Sequence, residues 1–171
     1  MIRSPPARLS RSLSSSLPIF VTNALENKPL PVYRRQNKRD WIFVDDHCAA
    51  LDLLLTAKGV EGEVFNIGSS QERSAISIGQ TILEYLGKPA SLLKHVEDRP
   101  GHVKRHAVDT TKLRRKLGWS PKKSFEEGLR ETIEWYKAND GWWRPIKEGT
   151  SAALTKSMTG ADSEKRWRAG T

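Results

Sequence analysis

The stretch Asp98-Arg99-Pro100-Gly101-His102, followed by Lys104, Arg105 and His106, concentrates the side chains of this sequence best suited to hold an anion. Arg99 and Arg105 carry planar, permanently charged forks that match the paired oxygens of a phosphate. Pro100 fixes one backbone angle and Gly101 frees the next, so the chain can turn sharply and approach a ligand with its backbone. The chemistry this suggests is a diphosphate clamp, set against the plain alternative of a solvated basic loop. His102 and His106 are four residues apart, a spacing that binds metal only on a helix. Pro100-Gly101 opposes a helix and no carboxylate stands at a third corner, so no metal site is expected.

Other groups weigh less. Asp45-Asp46-His47 has the residue types of an acid–base cluster, but a helix cap at Asp45 and paired acids on the helix dipole explain it. Cys48 reads as a small buried hydrophobe with nothing nearby to activate it. Asn66 is a polar amide at the end of an apolar strand, just before Gly68, where α/β folds present ligand groups. Redox signatures are lacking. Gly59, Gly62 and Gly68 do not form a dinucleotide fingerprint, and none of Tyr33, Tyr85 and Tyr136 is followed by Lys four residues later.

The net charge of +9 over 171 residues suggests nucleic acid until it is mapped. Residues 1–16 carry Arg3, Arg8 and Arg11 without an acid, and residues 98–123 hold nine Lys and Arg against Asp98 and Asp109. One concentrated patch favours a compact anionic ligand over a long polyanion. No apolar run approaches the length of a membrane span. The single cysteine excludes an internal disulfide and suits a reducing cytoplasm.

The elements that must position these groups follow from periodicity and caps. Residues 1–16 read as a disordered leader, with an organelle transit peptide as the alternative. Ser16 caps a first helix with Phe20, Val21, Ala24 and Leu25 on one face, ended by Asn27 and Pro29. Leu30–Tyr33 and Asp40–Val44 read as extended segments. Asp45 caps a helix to about Ala57, apolar on nearly every side and so in need of burial. Glu63–Ile67 reads as a strand. Ser74 caps a helix stopped by Gly87, and a strand near Lys94–Glu97 leads into the basic loop. Asp109 caps a short helix closed by Gly118, and Ser124-x-x-Glu127 is a capping box for another. Alternating strands and helices give an α/β class. Beyond Gly149 the pattern is lost, and residues 150–171 read as a disordered tail.

Taken together, Asn27-Lys28-Pro29-Leu30-Pro31-Val32-Tyr33, Arg39-Asp40-Trp41-Ile42-Phe43-Val44-Asp45-Asp46-His47, Phe65-Asn66-Ile67-Gly68, Glu97-Asp98-Arg99-Pro100-Gly101-His102, Leu117-Gly118-Trp119 and Trp142-Trp143-Arg144-Pro145 resemble a known family. They occur in the order seen in extended short-chain dehydrogenases acting on nucleotide sugars, and residues 17–149 resemble the C-terminal half of the dTDP-glucose 4,6-dehydratases. That resemblance implies the substrate-binding part of an NAD-dependent enzyme with an incomplete Rossmann sheet. In the family, oxidation at the sugar C4, loss of water across C5 and C6, and return of hydride give a 4-keto-6-deoxy sugar. The family's Tyr-x-x-x-Lys, dehydration acid–base pair and NAD-binding glycines lie upstream of what this chain contains. The chain alone is therefore expected to be inactive and to lack the NAD site.

What the resemblance carries over is the substrate side. It implies Pro31, Val32 and Tyr33 near the base, Arg39 and Asn66 on the nucleotide, and Asp98, Arg99, Pro100, Gly101 and His102 around the diphosphate. The implied partners are a dTDP-sugar and a chain supplying the Rossmann half, or self-association. Departures exist. Arg34-Arg35-Gln36 replaces a Gly-Asp-Gly turn, His106 stands for an aromatic residue, and the family's Tyr-rich tail does not follow Gly149. A related nucleotide-sugar epimerase or decarboxylase is the alternative within the class; a small basic nucleic-acid-binding protein is the alternative outside it.

Overall fold

The computed structural model describes residues 16–33, 37–97 and 105–158, with side chains described as far as Gly149. Backbone contacts divide the chain into two units, residues 1–134 and 135–171.

In the first unit, helix α1 (Ser16–Leu25) buries Phe20, Val21 and Ala24 as its spacing predicts. It ends where Asn27 takes a left-handed φ of 55° and the Lys28 N–H returns to the Asn23 carbonyl at 2.8 Å. Strand β1 (Leu30–Tyr33) follows, with Leu30 and Val32 fully buried. The next strand, β2, is shorter and earlier than expected, spanning Lys38–Asp40. Helix α2 (Val44–Thr56) begins one residue before the expected cap. Phe43 occupies the cap position and Asp45 lies in the first turn, where its charge faces the helix dipole. Asp46 is buried, and its carboxylate accepts the backbone N–H groups of Lys122 and Lys123 at 3.0 Å each.

Helix α2 is not buried on all sides. Ala50 is enclosed and packs with Leu113 and Trp119, with Ile42, Leu53, Leu54, Phe65, Ile67 and Leu117 around them. Leu51 and Leu55 stand 44% and 85% exposed, and Cys48 is exposed rather than buried. The expected strand at Glu63–Ile67 is absent. One of its carbonyls, that of Val64, accepts from Lys112 Nζ at 2.8 Å, and Lys112 and Lys116 hold the Glu63 carboxylate.

A strand that was not anticipated, β3 (Glu72–Ser74), runs straight into helix α3 (Ala75–Tyr85). Ser74 caps α3 as predicted, accepting from the Ser77 N–H at 3.1 Å. Gly87, at a φ of +62°, closes it. Strands β4 (Leu93–Val96) and β5 (Arg105–His106) bracket the basic loop. Helix α4 (Thr111–Leu117) is started by Asp109, whose carboxylate accepts the Thr111 N–H at 2.8 Å, and ended by Gly118 at a φ of 66°. The capping box of helix α5 (Phe125–Ala138) is formed in both directions: Glu127 N–H to Ser124 Oγ at 3.2 Å, and Ser124 N–H to the Glu127 carboxylate at 3.0 Å.

Among the described residues the strands form two small sheets. Strands β1 and β4 pair in parallel, Leu30 opposite Leu93 and Tyr33 opposite Val96. In the other, β2 is central, antiparallel to β3 and parallel to β5. The second unit contains the end of α5 and helix α6 (Asp140–Met158), which runs past Gly149, where the sequence pattern fades. Trp143 is buried there and its Nε1–H donates to the Tyr136 carbonyl at 2.9 Å.

Several surface carboxylates are held below the usual range. Hydrogen bonds from Lys116 and then Lys112 do this for Glu63, Arg105 for Glu72, and Ser124 for Glu127. A lowered folded-state pKa means that the unfolded chain binds more protons in that range, so stability rises with pH there. The unfolding temperature is expected to hold above the ordinary Glu pKa of about 4.3 and to fall as the pH drops through and below it. Melting curves from about pH 7 to about pH 3 check this, and a midpoint unmoved by acid would contradict it.

Candidate functional site

The strand registers bring the described flanks of the basic loop beside the strands that bear Tyr33 and Arg39. Tyr33, the last residue of β1, lies opposite Val96, and Lys38, the first of β2, lies opposite Arg105. The segments that leave Tyr33 and Val96 thus re-enter side by side at Lys38 and Arg105. Both segments, 34–36 and 98–104, fall outside the described residues, and with them the predicted Asp98, Arg99, Pro100, Gly101 and His102.

Along β1, Pro31 is exposed, Val32 is fully buried and Tyr33 is half-buried. Val32 therefore has only backbone groups to offer a ligand. Arg39 is half-buried, with its Nη1 donating to the Lys38 carbonyl at 2.9 Å. It lies between Arg73 on β3 and His106 on β5, and residues directly opposite share a face of the sheet, so three basic side chains form one row. Arg73 also reaches Glu126 at 3.2 Å and covers the Phe125 ring at 5.3 Å. Asn66 is exposed and its Nδ2–H donates to the Asp109 carbonyl at 3.2 Å.

Arg105 behaves differently from a phosphate fork in waiting. It lies on the opposite face of the sheet from Arg39 and makes a two-pronged pair with Glu72, Nε to Oε2 at 2.8 Å and Nη2 to Oε1. Its charge is already answered within the fold.

The residue that sequence reasoning passed over is Asp40. Its carboxylate accepts the backbone N–H groups of Ser69 at 3.1 Å, Ser70 at 3.2 Å and Gln71 at 3.2 Å. Ser69 Oγ lies 2.6 Å from both Asp40 Oδ1 and the Trp41 carbonyl oxygen, and its one proton serves either. No local pattern announces this, because the donors are 29 to 31 residues away. A groove of about 490 Å³ between α3 and α5, lined by Thr81, Tyr85, Leu129 and Ile133 among others, contains none of the predicted residues. Among the described residues no cluster of His, Cys, Asp and Glu could hold a metal ion, and no helix is long and apolar enough to cross a membrane.

Comparison with known proteins places this geometry. The family model described as GDP-mannose 4,6 dehydratase matches residues 4–132, a range that begins inside the Arg- and Ser-rich leader. A dTDP-glucose 4,6-dehydratase of Neisseria meningitidis is 45% identical over 146 residues, covering 78% of this chain and 41% of that protein. The crystal structure of dTDP-glucose 4,6-dehydratase from Bacillus anthracis, in complex with NAD, superposes with a TM-score of 0.73 at 43% identity, covering 78% of this chain and 42% of that one. The Bordetella bronchiseptica enzyme WbmF, in complex with NAD+ and UDP, superposes with a TM-score of 0.70 at 34% identity, covering 84% and 42%. The chain spans about two fifths of the length of these relatives. With a mixed α/β fold matching part of such structures, the chain belongs to the GDP-mannose 4,6 dehydratase family and is a partial-length relative of the dTDP-glucose 4,6-dehydratases.

Proposed function

We propose that the chain is the C-terminal, substrate-side part of a dTDP-glucose 4,6-dehydratase-like protein, and that it binds the nucleoside diphosphate portion of a dTDP-sugar. Pro31, Val32 and Tyr33 flank the base, Arg39 and Asn66 contact the nucleotide, and the Asp98–His102 loop wraps the diphosphate, with Arg99 as the main phosphate ligand. NAD and the residues that move hydride and protons belong to the part of the family fold that these residues do not span. The observation that carries this reading is the pair of registers Tyr33–Val96 and Lys38–Arg105, which bring the flanks of the basic loop to the strands bearing Tyr33 and Arg39.

Titration of dTDP against the parent, Arg99→Ala, Arg99→Lys and Arg115→Ala at fixed salt tests it. A charge-assisted bond to phosphate contributes roughly 1.5–3 kcal/mol, so Arg99→Ala is expected to weaken binding roughly tenfold to a hundredfold. Lys lacks the fork geometry, so Arg99→Lys recovers only part of the loss. Arg115 is exposed on α4 and its removal is expected to be neutral. Equal losses from Arg99→Ala and Arg115→Ala, with a preference for long DNA that collapses with salt, would favour diffuse polyanion binding instead.

A further inference from the structure

We infer that Asp40 is a positioning residue that sets Arg39 and Asn66 at a fixed mutual spacing for nucleotide recognition; the inference rests on the reading just given. Three separate segments meet at its carboxylate and at Gly68 beside it. Asp40 follows Arg39 directly in β2. Its oxygens take three successive N–H groups, of Ser69, Ser70 and Gln71, which begin three residues after Asn66. Between them, Gly68 is pressed so close that a Cβ there would stand 2.2 Å from Asp40 Oδ2 and 2.6 Å from Val108 Cγ2. Val108 belongs to the third segment, which leaves β5 after the basic loop and accepts the Asn66 side-chain N–H through the Asp109 carbonyl.

The arrangement is specific to a carboxylate. Ser70 holds a left-handed φ of 61°, unfavourable for a residue with a side chain, and one of the three converging donors is its own N–H. Such converging backbone donors form an anion-binding concavity, and here the anion is built into the chain. Gln71 extends the tie, since its carbonyl accepts the Trp41 N–H at 3.4 Å. With the Asp40 carboxylate seated, the segments that bear Arg39 and Asn66 are tied to one another through it.

The test uses the full chain with Asp40→Asn and the milder Ser69→Ala, and reads two things. In nucleotide-free protein followed by NMR, Asp40→Asn is expected to speed amide exchange at Ser69–Gln71 and to shift the Asn66 side-chain amide and Arg39 guanidinium signals. Ser69→Ala is expected to do so in the same direction and less. In titrations with dTDP, Asp40→Asn is expected to weaken binding roughly tenfold, the equivalent of one well-formed bond. In an Asn66→Ala background the same change is expected to cost much less, because the residue it positions is gone. A merely structural role would leave the two losses additive. Unmoved Asn66 and Arg39 signals in a folded variant, or additive losses, overturn the inference. Failure of the parent to bind dTDP, UDP or GDP overturns the nucleotide-binding reading instead, and the ligand-free signals still judge the coupling.

Discussion

Gly68→Ala is expected to be among the most damaging single substitutions in the first unit, lowering stability by about 3 kcal/mol or more. The backbone at Gly68 has an ordinary φ, so the penalty is one of space and not of conformation. A methyl group at that position must push aside either the Asp40 carboxylate or Val108. Moving the carboxylate takes the acceptor from the Ser69 and Ser70 N–H groups and leaves the Gln71 N–H only Ser69 Oγ at 3.0 Å; moving Val108 disturbs the segment that holds Asn66. For a chain of this size the loss corresponds to a fall of roughly 6–12 °C in the unfolding midpoint. Gly141→Ala is the control, since nothing lies within 4 Å of its added methyl group. In a helix that substitution is expected to be neutral or slightly stabilising. Equal melting temperatures for Gly68→Ala and Gly141→Ala would show that the close approach at Gly68 relaxes without cost.

In the second unit the largest effect is expected from Trp143→Ala, a loss of about 3–5 kcal/mol for a buried indole. Trp143 is 2% exposed, its ring lies 6.4 Å from that of Tyr136 at a tilt of 59°, and its N–H satisfies the Tyr136 carbonyl. Trp143→Phe keeps an aromatic ring and loses the donor, so it is expected to cost less, about 1–2 kcal/mol for the bond with some repacking. A second readout separates packing from general damage. Burial pushes the Tyr136 phenol up to about 12. In Trp143→Ala, water gains access and ultraviolet titration is expected to find that phenol ionising nearer its ordinary value of about 10. A phenol that still titrates with the parent's value in a destabilised variant would show that Trp143 does not shield it.

What could be read from sequence and what could not divide along the range of the interaction. Ser74 over Ser77, Ser124 with Glu127, Gly118 after Leu117 and Asn27 after α1 are all contacts within four or five residues, and each appears where its pattern predicts. Glu63–Ile67 has strand composition but lies beside α4, whose Lys112 takes the Val64 carbonyl and whose Lys112 and Lys116 hold the Glu63 carboxylate; composition carries no information about that neighbour. Glu72-Arg73-Ser74 has none of the β-branched residues that mark strands, yet pairs with β2 through backbone groups that any residue supplies. Cys48 and Leu55 look like core residues because their helix is apolar all round, and only the packing shows which side is covered. The same limit hid Asp40. The type and position of Asn66, and for Arg39 the family resemblance, suggested ligand contact, whereas the carboxylate that ties their segments together has its donors far along the chain.

The pairing of β1 with β4 has a consequence for how the chain reaches its fold. Leu30 faces Leu93, a separation of 63 residues, and β2 reaches β5 across a similar span, Lys38 to Arg105. Parallel strands cannot close through a tight turn, and closing a long loop costs entropy before any ladder bond repays it. By contrast α1, α3 and α5 carry their own start and stop signals and can form early. Assembly of the first unit is therefore limited by the late arrival of β4 and β5, the two strands that flank the basic loop. On a ribosome, the β1–β4 pairing would wait until residue 96 had been made and the β2–β5 pairing until residue 106, so the loop that concentrates the charge sets the interval between the two closures.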